Sequence, residues 1–334
     1  MDRSGKSTFS IVDLIALLVV GFLLLSLLTS CVARQRGPSK QNLCLNQLRQ
    51  LALCILNKES ATQRFPLAMF GAAARDEIST AGPTAFGEDD GYSWIVGVLA
   101  YADGSSAFKQ ILNESNKFEA PIQSPALSLD GKDPSLEELL ICPAMPGDHL
   151  AKGIYRQLKT PQISNYMALV AACVEGEDQR FADRNRSTGG AIVTKGAAKK
   201  GLKIGDITDG TSKTMILAES KAELYSYWFS GRSTSTVGIP PDVFAYQSED
   251  DRGSLANLPQ GLNFGRSYSD ENSKAPWFAT KYPPGNLDWG PSSHHPAGVG
   301  HAFVGGACSL INPDIDTEVY FALLTRGGGE KIPE

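Results

Sequence analysis

What this chain lacks narrows it first. There is no C-x-x-C pair among its six cysteines, so the local spacing of a structural zinc site is missing. There is no G-x-S-x-G elbow to present a hydrolase serine. Gly5-Lys6-Ser7-Thr8 imitates the end of a phosphate-binding loop, but no earlier glycine and no strand precede it. Positive charge is scarce too: the net charge is −5, and the one basic run, Lys195 to Lys200, is short and has no interleaved aromatics. Nucleic acid is therefore not an expected partner. After residue 30 no apolar run reaches membrane-spanning length, which excludes a multi-span protein.

One long apolar run does exist, and it lies at the N-terminus. Ile11 to Ser30 is apolar apart from Asp13 and a few small polar residues. Twenty residues at ~1.5 Å rise cover a hydrocarbon core of roughly 30 Å, so the sequence predicts a single membrane helix. Asp13 inside it calls for a partner or a function, because charge in a span is costly. Arg3 and Lys6 precede the run and Arg34, Arg36 and Lys40 follow it, so charge alone leaves the orientation open.

The flanks carry resemblances. Phe9-Ser10-Ile11-Val12-Asp13 resembles the F-T-L-V-E start of type IV pilins and of the pseudopilins of type II secretion, with Thr8 in place of the usual Gly and Asp13 in place of Glu. That resemblance implies cleavage before Phe9, pairing of the Asp13 acid with a neighbouring subunit's terminal amine, a cytoplasmic N-terminus and an exported head. Its partners would be the membrane, further copies of the chain, or pilin and type II secretion components. Leu28-Thr29-Ser30-Cys31 resembles a bacterial lipobox, which would instead place a lipid on Cys31 and make an anchored, exported binding protein.

A second resemblance runs nearly the length of the chain. The segment Cys44 to Leu53 with Asn57 and Phe65-Pro66, then Ser93-Trp94-Ile95-Val96 with Leu99 and Tyr101, then Ile141-Cys142-Pro143, then Ile207 to Thr214 ending at Glu219, come in order. Together they resemble a large bacterial family with pilin-like leaders, the domain of unknown function 1559 family. Its C-terminal hallmark is H-x9-D-G. Here His295 opens the motif, Gly305 stands where the family has Asp, and Gly306 follows. The turn can persist without the acid, because glycine supplies the backbone freedom such turns need.

Pattern and composition predict an α+β protein: a membrane helix over 9–36 behind a leader at 1–8, a stalk helix over 37–57, and an exported head over 58–334 with a mostly antiparallel sheet, pseudopilin-like as a whole. Gly37-Pro38 should end or kink the first helix. Cys44, Leu48, Leu51 and Ile55 fall at helical spacing, and that stripe is expected to dock on the head's own sheet. Strands are expected at 138–142, 166–173, 202–207, 214–218 and 225–229, with a hairpin of 299–304 and 307–311 around Gly305-Gly306. Helices are expected at 92–101 and 317–324, the latter capped by Asp314 or Asp316. The stretches 184–200 and 230–274 read as surface loops.

Candidate chemistry is thin. Cys44 and Cys54 lie ten apart on one helix, about 15 Å along its axis, and cannot bond each other. Cys142, Cys173 and Cys308 are disulfide candidates or buried thiols. His294, His295 and His301 suit a hydrogen-bonded turn better than a metal, and Asp314, Asp316 and Glu318 suit a helix start as well as calcium. Ser292 with His295 would form a hydrolase triad only by accident of folding. Trp94, Trp228, Trp277 and Trp289 read as core before they read as a groove. The sequence thus implies no catalytic residue, no cofactor and no metal, and a non-enzymatic, membrane-anchored structural role at the bacterial inner membrane.

Overall fold

In a computed structural model, the described residues are 11–71, 91–102, 134–150, 162–175, 180–221, 227–239 and 290–330, with positions 109, 111, 113 and 262. Within α1 the side chains of residue 13 and of residues 24–38 are outside that set.

Helix α1, Ile11–Thr62, is one unbroken element of 52 residues. The break expected at Gly37-Pro38 does not occur. Proline withholds a single amide donor, and the helical bonds on either side carry the backbone past it. The expected stalk is therefore the second half of α1, and its predicted stripe is buried: Cys44, Leu48, Leu51 and Ile55 are all nearly inaccessible, joined by Ala52, while Leu43 and Leu53 face outward. At the other end, from Ile11 to Leu23, the described apolar side chains are exposed all round the helix. Among the described residues, no helix is long and apolar enough to cross a membrane.

The head is α+β and mainly antiparallel. Short strands β1 (Met69–Phe70) and β2 (Tyr92–Ser93) pair beside helix α2 (Trp94–Val98), whose N-terminus is capped by the Ser93 hydroxyl accepting from the Val96 amide. Helix α3 is Pro134–Leu140. The central sheet uses β3 (Tyr166–Ala171), β6 (Met215–Glu219), β7 (Ser235–Val237), β8 (Val299–Phe303) and β9 (Cys308–Ile311), in the order β7-β3-β6-β8-β9. Only β7 runs parallel to its neighbour, β3. A separate two-stranded pair joins β4 (Val174–Glu175) and β5 (Arg180–Phe181). Helix α4, Thr317–Leu324, completes the chain's order.

The sheet is buried on both faces, which is why β3 and β6 read as unbroken apolar runs rather than alternating ones. One face takes α1 and α2: Leu48, Leu51, Ile55, Trp94 and Val96 meet Tyr166, Ala168, Val170, Leu217 and Ala302. The opposite face takes α4: Tyr320 and Leu324 meet Leu169, Met215, Ala218 and Val299. Close approach of α1 depends on Gly300, where an added Cβ would lie 2.8 Å from Leu48.

Several local expectations are corrected. The strand expected at 138–142 is the end of α3 and the turn after it: Leu136 and Leu140, four apart, are buried on one helical face, and Pro134 suits the first helical turn. The strand expected at 202–207 is a 3₁₀ turn, Ile204–Asp206, in which the Asp206 carboxylate accepts from the Lys203 amide. The stretch 184–200 is a surface loop only at its ends, 184–186 and 199–200, and is buried over 189–194. Ala191, Ile192 and Val193 are buried, and the Gly190 amide donates to the Val170 carbonyl where any Cβ would collide with Leu169. Likewise 230–239 folds inward and carries β7, with the Trp94 indole donating to the Thr234 carbonyl, while the rest of the expected loop, 240–274, lies outside the described residues apart from Leu262. Of the strand expected at 225–229, the described part holds Tyr227 in an isolated bridge to Ile163. Trp94 and Trp228 are core residues, whereas Trp277 and Trp289 lie outside the described residues.

Candidate functional site

The group of side chains with the most chemistry gathers where α1 meets the sheet. Cys44, on the buried face of α1, is disulfide-bonded to Cys142, which follows α3. This bridge spans 98 positions of sequence. Beside it stand Glu219, the last residue of β6, and His295, in the turn that leads into β8. The four donor atoms, two Sγ, one carboxylate oxygen and one imidazole nitrogen, all lie within 4.8 Å of one another, and all four residues are buried.

Each is held by its own element. The Cys142 amide donates to Asn165 Oδ1 at 3.0 Å, and Asn165 Nδ2 donates to the Ser220 carbonyl at 2.9 Å, so one asparagine ties the cysteine turn to the end of β6. The Ser292 amide donates to the Glu219 carbonyl, and the His295 amide donates to Ser293 Oγ, which fixes the histidine turn against the same strand end. Tyr166 on β3 donates its hydroxyl to Gln47 of α1 at 2.6 Å, while Gln47 Nε2 donates to the Ile141 carbonyl at 3.0 Å. His295 Nε2 sits 3.4 Å from Cys142 Sγ and 3.5 Å from Glu219 Oε1.

Burial governs the charges here. It pushes the Glu219 carboxyl up to about 7, against the pull of hydrogen bonds from Ser293 and from the Gly300 amide. It also lowers His295, with the positive charges of His294 and Lys40 adding to the effect. Both shifts oppose ionisation, so desolvation outweighs the attraction the two groups would have as an ion pair. Tyr166 is raised as well, by burial first and then by Glu219.

The other sequence candidates are scattered. Thr8 and Phe9 lie outside the described residues, and Asp13 and Cys31 fall in α1 at positions whose side chains are outside them too. The two ends of the H-x9-D-G segment are separated by the length of β8. His295 meets the disulfide, while Gly305 and Gly306 form the hairpin tip, where the Gly305 amide donates to the Thr211 carbonyl at 2.8 Å and Gly306 takes φ +84°. The three C-terminal histidines do not cluster: His301 points to the α4 face, where its ring meets Tyr320. Ser292 Oγ donates to the Gly290 carbonyl and accepts from the Lys221 amide, bonds that serve the turn rather than His295. Asp316 is the cap of α4, accepting from the Glu318 and Val319 amides.

Spacing rules look along the chain and so miss a set whose members stand at 44, 142, 219 and 295. A signal was nevertheless present, since each of the four lies in one of the family-like segments. A family model described as a protein of unknown function (DUF1559) matches residues 40–318. No curated protein and no solved structure matches.

Proposed function

The chain belongs to the DUF1559 family, whose function is unknown, and from that premise we propose that it is a membrane-anchored, non-enzymatic structural protein of pilin or pseudopilin type. Its N-terminal segment would sit in the bacterial inner membrane and its head would be exported.

The observation that carries this reading is the division of labour along α1. About 78 Å long at 1.5 Å per residue, the helix buries one face of its second half against the sheet and leaves the apolar side chains of its beginning exposed. Ile11, Val12, Leu17, Leu18 and Phe22 are each more than 60 % exposed. Apolar side chains displayed on every side of a helix need an apolar medium or a ring of neighbouring helices. The described apolar stretch ends at Leu23, and the sequence continues it to Ser30, which reaches the ~20 residues a span needs.

One further feature agrees. A buried disulfide is at home in an oxidising compartment outside the cytosol, as an exported head would be.

The reading is tested by expressing the full chain in a bacterial host, separating membranes from the aqueous fraction, and determining the mature N-terminus by mass spectrometry. A membrane-bound chain beginning at Phe9, or an intact one, supports it. Acylation at Cys31 would replace it with a lipid-anchored binding protein, and recovery from the aqueous fraction without detergent would overturn it.

A further inference from the structure

The disulfide does not account for its neighbours. A cystine bridge is apolar and gains little from a carboxylate and an imidazole, yet Glu219 and His295 are each only 3 % exposed beside it. Burying two such groups against each other is costly unless something repays both.

The distances suggest what that is. Zinc-class ions hold sulfur at ~2.3 Å, imidazole nitrogen at ~2.0–2.1 Å and carboxylate oxygen at ~2.0–2.2 Å, which sets the edges of a tetrahedral site at roughly 3.4–3.8 Å. His295 Nε2 already lies 3.4 Å from Cys142 Sγ and 3.5 Å from Glu219 Oε1. The sulfur pair is too short for such a site, because there the two atoms share a bond, and every other pair of donor atoms lies within 4.8 Å. The carboxylate is also oriented from behind: Glu219 Oε2 accepts from the Gly300 amide, which leaves Oε1 toward the histidine.

We propose that in the reduced chain Cys44, Cys142, Glu219 and His295 bind one divalent transition metal ion of the zinc class, in a closed four-ligand site. The two thiols, and the Glu219 carboxyl where it is protonated, give up their protons to water as the ion binds, and the ion takes the place of the sulfur–sulfur bond. Metal and disulfide compete for the same two sulfurs, so the oxidised chain holds no ion there. Either way the same joint is fastened: Cys44 of α1 is tied to the sheet, covalently in one state and by coordination in the other. Reduction in the test is by dithiothreitol, whose two thiols become a cyclic disulfide as the protein's disulfide becomes two thiols.

The experiment uses the full-length chain in detergent micelles, reduced with dithiothreitol under argon, freed of reductant and titrated with Co²⁺. Expected are a thiolate-to-cobalt charge-transfer band and the intense visible bands of tetrahedral cobalt, saturating at one ion per chain and bleached by Zn²⁺. The untreated, oxidised protein gives no such bands. Cys142→Ser lowers the charge-transfer intensity at this site to half or less, and His295→Ala weakens binding by at least about tenfold. Reduced wild-type protein that keeps its circular dichroism and gives no thiolate–cobalt band would overturn the proposal, as would equal affinity in His295→Ala. Should either variant fail to fold, the wild-type comparison of reduced against oxidised protein decides alone. None of these readouts depends on membrane anchoring.

Discussion

His301 shows how one residue can be exposed in sequence and silent in chemistry. It sits on β8, fully buried, with Nδ1–H donating to the Val299 carbonyl and Nε2 accepting from the Tyr320 hydroxyl at 3.0 Å. Burial lowers it to about 4. In the unfolded chain an imidazole titrates near 6.5, so between those values the unfolded state takes up the proton first. Its stabilising contribution is complete above about pH 6.5 and is lost as the pH falls through about 4. Urea denaturation over that window should show a destabilisation of at most about 3 kcal/mol that is absent in His301→Phe. Parallel pH profiles for the two proteins would remove the claim. Gly305 is a second residue-scale case. Its backbone does not take a positive φ, and an added Cβ would find ordinary contact with Thr211 at 3.4–3.6 Å. Gly305→Asp, which restores the family's acid, should therefore fold normally and gain about 0.4–1 kcal/mol by restricting the unfolded chain. A loss of stability on thermal melting would show that the tip needs glycine. The sequence exposed this turn because Gly-Gly between apolar runs is a local signal. It hid the role of His295, whose partners are 76 or more positions away.

At the scale of elements, periodicity was readable where one face of an element is buried and the other is wet. The second half of α1 is such a case, and so is α4 with its Asp316 cap, whereas the β8–β9 hairpin, whose register pairs Val299 with Ile311 and Ala302 with Cys308, has β8 buried on both faces and was legible from Gly305-Gly306 at its tip. Periodicity failed where burial is decided by distant chain. Residues 184–200 look like a polar loop, yet Arg326 from the C-terminal tail enters them, donating to the carbonyls of Asp183 and Gly190 and holding the segment inside. Within α1 the contrast between faces is testable. Leu48 is completely buried and Leu53 is half-exposed. Leu48→Ala should cost about 2–5 kcal/mol in denaturant, and Leu53→Ala no more than about 0.5. Equal effects would mean that α1 is not seated by this face. The disulfide fastens the same helix from one side. Closing a loop of 98 positions, it should be worth roughly 2–5 kcal/mol, so Cys142→Ser should lower the denaturation midpoint and steepen the slope as the unfolded chain expands.

At the scale of the whole molecule, the second half of α1 belongs to the head, whereas the described apolar side chains of 11–23 are exposed. The opposite faces of the sheet are already covered, by α1 and α2 on one side and α4 on the other, so the head's core is complete without the first turns of α1. That separation yields a prediction about the membrane reading which stability measurements would not confound. Leu18 and Phe22, four apart on the start of α1, are 67 % and 73 % exposed. Replacing both with aspartate leaves the sheet, the disulfide and the α1 stripe untouched. The same change places two charges in the segment proposed to lie in lipid, at ~2.5–3.5 kcal/mol each near a bilayer centre. Leu18→Asp with Phe22→Asp should thus shift the chain from the membrane to the aqueous or misassembled fraction while the head keeps wild-type denaturation behaviour. A double variant that still sediments wholly with membranes and resists carbonate extraction would show that this part of α1 is not the anchor.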